Sequence, residues 1–281
     1  MLSSFLSLRN PRLREWARFH RICFFIFMLI PPSGPMAETP GTAESPLAAA
    51  LDRLAAEVEP EVIAWRRDIH QHPELSNREF RTAQLVAEQL KSFGLEVQTG
   101  VARTGVVGIL RGTQDRPVVA LRADMDALPV TEALDLPFAS QEKATYNGKE
   151  TGVMHACGHD AHTAILLGVA KIFSRLREQI PGTVKFIFQP AEEGAPEGEE
   201  SGAALMIKQG VLENPKPDVI FGLHTRVYPT GTISYRPGPA MASSDTLSIT
   251  IHGRQTHGAR PWDGVDPIVT AAQIILGLQT V

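Results

Sequence analysis

Apolar residues recur at helical spacing across residues 47–69, at Leu51, Leu54, Ala55, Val58, Val62 and Ile69, which predicts a long amphipathic helix. Pro60 falls inside it and is expected to bend or split it. A second amphipathic helix is expected over residues 79–93, with Gly94 where a left-handed C-terminal cap belongs. Short β-rich runs follow: GVVGIL at 105–110, VVALRA at 118–123, TVKFIF at 183–188 and DVIFGL at 218–223. Several are apolar throughout, the pattern of strands covered on both faces. A helical stretch at 161–176 separates the second run from the third. Strands alternating with helices predict an α/β domain.

The pattern changes near Gly238. TLSITIHG, 246–253, alternates strictly, with Leu247, Ile249 and Ile251 on one side and Thr246, Ser248, Thr250 and His252 on the other. That predicts a half-buried strand of a sheet open on one face. Residues 266–281 read as a helix with Pro267 in its first turn. The expected organisation is therefore one domain over 47–240 and the start of another over 241–281. One strand and one helix cannot make a stable domain, and the chain stops inside that helix, so the second domain reads as truncated.

The first residues have a different texture. Arg9, Arg12, Arg14, Arg18 and Arg21 precede the apolar run ICFFIFMLI at 22–30, and a small, turn-forming stretch follows. This is the layout of a secretory signal peptide over residues 1–37, with cleavage after Ala37 and a periplasmic or secreted destination. The apolar run is too short for a stable membrane span. Cys23 lies within it, so cleavage would leave Cys157 as a lone cysteine without an internal disulfide partner. Across the whole chain, 281 residues that are 43% hydrophobic suffice for a sizeable core. A formal charge of −4 and the lack of a long basic run argue against a nucleic-acid partner.

Candidate chemistry gathers at predicted strand ends. RADMDALP follows the 118–123 strand, FQPAEEG the 183–188 strand, and GLHT closes the 218–223 strand. In open α/β sheets, sites form beyond the carboxyl ends of strands. MHACGHDAHTA at 154–164 adds three histidines, an aspartate and Cys157. Thiolate, imidazole and carboxylate are the usual zinc donors, and the latter two also suit manganese. Cys157 and His159 flank Gly158, which permits a sharp backbone path that faces both side chains one way. Glu192 and Glu193 are adjacent, so one can bind metal while the other serves a water as general base. His224 offers a further imidazole, and Asp124 and Asp126 either ligate or hold the second nitrogen of a histidine. Singly, each has an ordinary structural explanation; together they must explain why donors cluster at strand ends. A cysteine hydrolase, with Cys157 as nucleophile and His159 or His162 as base, is the rival chemistry. An inactive fragment or non-catalytic metal-binding remnant is the rival without chemistry.

RRDIHQHPELS (66–76), ALRADMDALP (120–129), MHACGHDAHTA (154–164), FQPAEEG (188–194), GLHT (222–225) and HGRQTHGARP (252–261) occur in that order. The set resembles the amidohydrolase branch of the aminoacylase and carboxypeptidase metallopeptidases, which includes hippurate hydrolase and the plant hydrolases of indole-acetyl amino acids. The resemblance implies a mixed-sheet catalytic domain with an inserted α+β lid that mediates homodimerisation and is truncated here. It implies two divalent ions, Zn2+ or Mn2+, with Co2+ and Ni2+ as alternatives, held by Cys157, His159, Glu193 and His224. It makes Glu192 the general base and acid, Asp126 a supporting aspartate, and His257 the group that polarises the scissile carbonyl. The substrate would be an N-acyl amino acid or a short peptide. In this family a last histidine ligand comes from a C-terminal segment that lies beyond the motifs present here.

Overall fold

The structure is a computed structural model that describes residues 46–200, 202–239 and 247–280. The expected signal peptide lies outside the described residues, as does the expected domain boundary near 240. The chain forms two compact units divided between Arg226 and Val227.

The first unit opens with helix α1 (Pro46–Gln71), which buries Leu54, Val58, Ile69 and His70. Pro60 does not split it. The ring removes one backbone hydrogen bond, and apolar burial on both sides of that point, at Val58 and Ile69, keeps the helix continuous. Helix α2 (Phe80–Ser92) ends as expected at Gly94 (φ +76°). Leu95 N–H donates to Leu90 O and Gly94 N–H to Lys91 O, which satisfies the last carbonyls of the helix.

Strands β1 (Glu96–Val101), β2 (Gly105–Arg111), β3 (Val118–Asp124), β6 (Thr183–Gln189) and β7 (Val219–Gly222) form one sheet in the order β1-β2-β6-β3-β7. β1, β2 and β6 pair antiparallel, whereas β3 pairs parallel with both β6 and β7. The sheet is mixed and the architecture is α/β, as predicted. Between β3 and β6 the chain makes a hairpin, β4 (Lys143–Tyr146) with β5 (Lys149–Gly152), and helix α3 (His159–Arg175). Between β6 and β7 it makes helix α4 (Gly202–Lys208). Period-2 alternation in β6 divides the core. Val184, Phe186 and Phe188 join Val86 and Leu90 of α2 and Leu166, Leu167 and Ala170 of α3. Ile187 joins Val107, Ala120 and Met206 on the opposite face.

β3 lies between β6 and β7, so successive crossovers lead to opposite sides of it. A crevice therefore opens beyond its carboxyl end. β6 is buried along its whole length, as its apolar run predicts. β7 is not: Val219, Ile220 and Phe221 are 47%, 54% and 60% exposed. Its apolar run matches that of a strand covered on both faces, but β7 is the sheet edge and pairs only with β3 among the described residues.

The second unit holds helix α5 (Pro267–Leu278), capped by Asp266, whose Oδ1 accepts from Ile268 N–H at 2.8 Å. Among the described residues, 247–253 form no strand ladder; Leu247 and Ile249 are exposed, and the pairing seen there is an isolated bridge, Arg254 with Val265. An alternating segment becomes a strand only where a neighbour accepts its backbone hydrogen bonds. Among the described residues, no helix is long and apolar enough to cross a membrane.

Candidate metal centre

The donors come from four places in the chain, brought together by the parallel part of the sheet. Asp124 ends β3, and Asp126 follows it. Cys157 and His159 stand at the start of α3, separated by Gly158, which takes a left-handed conformation (φ +84°) as N-cap. Gly158 also packs against Thr225: a Cβ there would lie 2.3 Å from Thr225 Oγ1. Glu192 and Glu193 occupy the loop after β6, and His224 follows β7.

These side chains converge. Cys157 Sγ lies 3.3 Å from His224 Nε2. His159 Nε2 lies 3.7 Å from Glu193 Oε1, 3.8 Å from Glu192 Oε2 and 3.6 Å from Asp124 Oδ2. Among the described residues, three sets have donor atoms within 4.8 Å of one another: Cys157, His159 and His224; His159, Glu192 and Glu193; and Asp124, His159 and His162.

Hydrogen bonds fix which imidazole nitrogens are free. His159 Nδ1 donates to the Asp126 backbone carbonyl at 2.8 Å, so in the neutral ring Nε2 carries the lone pair. That Nε2 is buried and accepts no hydrogen bond among the described residues. His224 Nδ1 donates to Thr225 O at 2.6 Å, so its Nε2 faces Cys157 as an acceptor. His162 differs. Its Nε2 accepts from Thr225 N–H at 2.9 Å and its Nδ1 donates to Asp124 Oδ1 at 2.6 Å, so both nitrogens are spent within the protein. Asp124 is thus the outer partner of His162, and it also accepts from Arg122 at 2.6 Å. Asp126 Oδ2 accepts from Ser76 Oγ at 2.7 Å and from Glu193 N–H at 2.9 Å, so its carboxylate sets the backbone of the glutamate pair.

The electrostatics are those of a site short of positive charge. Burial first, then Glu193 and Glu192, push the Cys157 thiol up to about 12. Burial, followed by the neighbouring Asp124 carboxylate, raises the Glu192 carboxyl above its ordinary range. Burial opposes a charge on His159, yet its bond to Asp126 and the surrounding carboxylates outweigh that and hold a proton more tightly than usual. A cation at the same place would satisfy the same field. The raised thiol argues against Cys157 as a free nucleophile, since the thiolate is the reactive form.

Of the residues expected from sequence, Cys157, His159, Glu192, Glu193, His224 and Asp126 meet at this crevice. His257 belongs to the second unit, where it is exposed and its Nδ1 accepts from Ala259 N–H at 3.1 Å. Sequence reasoning gave no role to Arg122, Thr225 or Ser76. All three lie inside the motifs quoted above, but each acts by holding another residue, so its contribution shows only in the folded contacts.

A sequence profile of peptidase family M20/M25/M40 matches residues 120–276. The chain belongs to that family. It is 46% identical over 230 residues to an N-acyl-L-amino acid amidohydrolase of Geobacillus stearothermophilus, covering 82% of this chain and 58% of that protein. It is 46% identical over 220 residues to thermostable carboxypeptidase 1 of Saccharolobus solfataricus, covering 78% and 53%. The crystal structure of a dinuclear metal-binding M20 peptidase from Bacillus subtilis superposes with a TM-score of 0.52 at 40% identity, covering 62% of this chain and 44% of that one. The chain spans about half the length of the curated M20 relatives it matches.

Proposed function

We propose that this M20 protein is a metal-dependent amidohydrolase that cleaves the amide bond of N-acyl amino acids. The observation that carries the reading is His159 Nε2: a buried nitrogen with no hydrogen-bond partner among the described residues, ringed by Glu192, Glu193 and Asp124 within 3.8 Å. An unsatisfied buried nitrogen among carboxylates is costly, and a cation removes that cost. Sulfur, nitrogen and carboxylate donors together suit Zn2+, Mn2+ or a related divalent ion. The residues present therefore fit the group that the family resemblance implies. Cys157, His159, Glu193 and His224 would hold it. Bound divalent ions supply Lewis acidity and a water of lowered pKa.

The protein's own residues do the remaining work. Glu192 takes the proton from the attacking water and returns it to the leaving amine. Its raised affinity for a proton suits both halves of that task. Asp126 fixes the tautomer of His159 through its backbone carbonyl and the position of Glu193 through its carboxylate. To His257 the motif resemblance assigns hydrogen bonding to the carbonyl oxygen as negative charge develops there. The family resemblance further supports a catalytic domain over 47–240 and homodimerisation through a lid beginning at 241. The basic, apolar and small-residue pattern of residues 1–37 supports export from the cytoplasm.

The test is hydrolysis of hippurate and N-acetyl amino acids by the purified protein before and after chelation. Activity lost on chelation and restored by Zn2+ or Mn2+, with close to two ions bound per chain, supports the reading. Metal-independent turnover that thiol alkylation abolishes would instead establish Cys157 as a nucleophile.

A further inference from the structure

The segment Asn77, Arg78 and Glu79 follows the first family-like motif but has no part in the chemistry above. We infer that Glu79 is a positioning residue: its buried carboxylate clamps the backbone just before Glu192 and so sets where the proton-carrying side chain stands. This rests on the proposed role of Glu192.

Glu79 is the N-cap of α2, a position that favours Ser, Thr, Asp or Asn because their short side chains cap the helix. Its side chain makes no cap hydrogen bond. It turns inward, fully buried, where Oε2 accepts from Thr104 Oγ1 at 2.6 Å and Oε1 accepts from Ala191 N–H at 2.8 Å. Ala191 is itself buried in a left-handed conformation (φ +49°), which a residue with a Cβ adopts only when its surroundings impose it. On the far side of Glu192, the Glu193 N–H is held by Asp126 Oδ2, which Ser76 Oγ holds in turn. The backbone amides on either side of Glu192 are therefore each bound by a buried carboxylate, and Glu192 itself projects from between two fixed points.

The rest of the segment grips the same loop further on. Asn77 Nδ2 donates to Glu199 Oε2 at 2.9 Å and to Glu200 O at 3.3 Å, and Arg78 donates to Glu199 Oε1 at 2.7 Å. Gly202 admits the Pro190 carbonyl so closely that a Cβ would lie 1.6 Å from it. Burial, its largest cause, raises the Glu79 carboxyl to about 7. A charged carboxylate there is thus unfavourable in itself, and its hydrogen bonds from Thr104 and Ala191 offset that cost.

The test uses four substitutions in the intact protein. Glu79→Asp keeps the charge but retracts the acceptor from Ala191; it is expected to lower kcat about 10-fold or more and to weaken metal affinity, read by chelator competition, about 10-fold, with KM changed less than about 3-fold. Glu79→Gln keeps an oxygen that accepts from Ala191 and is expected to stay within about 5-fold of wild type. Val58→Ala, in the α1 core, lowers Tm without touching the loop and is expected to leave kcat and metal affinity unchanged. The clamp is overturned if Glu79→Asp matches wild type in both readouts, if Glu79→Gln is as impaired as Glu79→Asp, or if Val58→Ala at equal Tm shows the same losses. Glu192→Gln, measured alongside, separates the two ideas. Turnover surviving in Glu192→Gln sinks the proposed function, whereas the metal affinity of Glu79→Asp still decides the clamp.

Discussion

Cys157 Sγ and His224 Nε2 lie 3.3 Å apart although 67 residues separate them in the chain. One stands before the first turn of α3 and the other beyond the end of β7. Neither would be a strong metal ligand alone. Their approach follows from the parallel pairing of β3 with β6 and β7, which brings the loops after these strands to one edge.

Cys157→Ser should therefore separate binding from nucleophilic chemistry. A hydroxyl is a poor substitute for thiolate as a soft ligand, so metal affinity is expected to fall at least about 100-fold, as large as or larger than the loss of a supporting residue. Excess Zn2+ or Mn2+ should then recover part of the turnover. Metal titration followed by assay checks this, and a serine variant that binds metal at wild-type affinity would remove Cys157 from the ligand set.

Two glycines with similar backbones should respond differently to alanine. Gly148, in the β4–β5 turn, has φ +74° and open space around its added Cβ, so Gly148→Ala should cost only the left-handed penalty, about 1–2 kcal/mol. Gly158 has φ +84° and Thr225 Oγ1 at 2.3 Å from the added Cβ. Gly158→Ala should cost more than that penalty and should displace Cys157 or Thr225, weakening metal affinity. Chemical denaturation and metal titration of both variants provide the comparison.

His70 sits between two buried acids, with Nδ1 2.9 Å from Asp160 Oδ2 and Nε2 2.9 Å from Glu132 Oε2. The bond to Asp160 is the main cause that raises the imidazole above its usual 6.5. Burial pushes the Asp160 carboxyl up, but His70 and Arg66 outweigh it and hold it below its usual 3.8. The lowered acid contributes stability above 3.8 that is lost as pH falls below it. The raised imidazole contributes stability below 6.5 that is lost as pH rises through its folded value. His70→Ala leaves two buried carboxylates short of a partner and should cost about 3 kcal/mol. That loss should be largest between the two ordinary values and shrink at more acid or alkaline pH. Denaturation of metal-free protein across that range tests it; a pH-independent loss would mean that the charged pair is not what His70 contributes.

Much of the fold was legible because it follows from local pattern. The spacing of Leu54, Val58 and Ile69 in α1, the glycine after α2 and the apolar run of β6 each act within a few residues of themselves. The β4–β5 hairpin was also legible in principle: Asn147 and Gly148 both take positive φ, the signal of a two-residue turn. It was missed because the flanking strands are only four residues long, polar and mostly exposed. β1 carries too few apolar residues to stand out.

The sequence by itself determined the long elements of the first unit and the donor chemistry: the apolar faces of α1, α2, α3 and β6, and the strand ends and helix start that carry Cys157, His159, Glu192, Glu193 and His224. Only the tertiary structure decided which donors are free to bind. His159 and His162 lie on the same helix and look alike in sequence. One keeps a bare, buried nitrogen, and the other gives both nitrogens to Asp124 and Thr225. The same holds for Glu79, which reads as part of a helix start and becomes an anchor for a loop 112 residues away. Hydrophobic periodicity is a local property of the chain, whereas hydrogen-bond satisfaction depends on partners that only folding brings within reach.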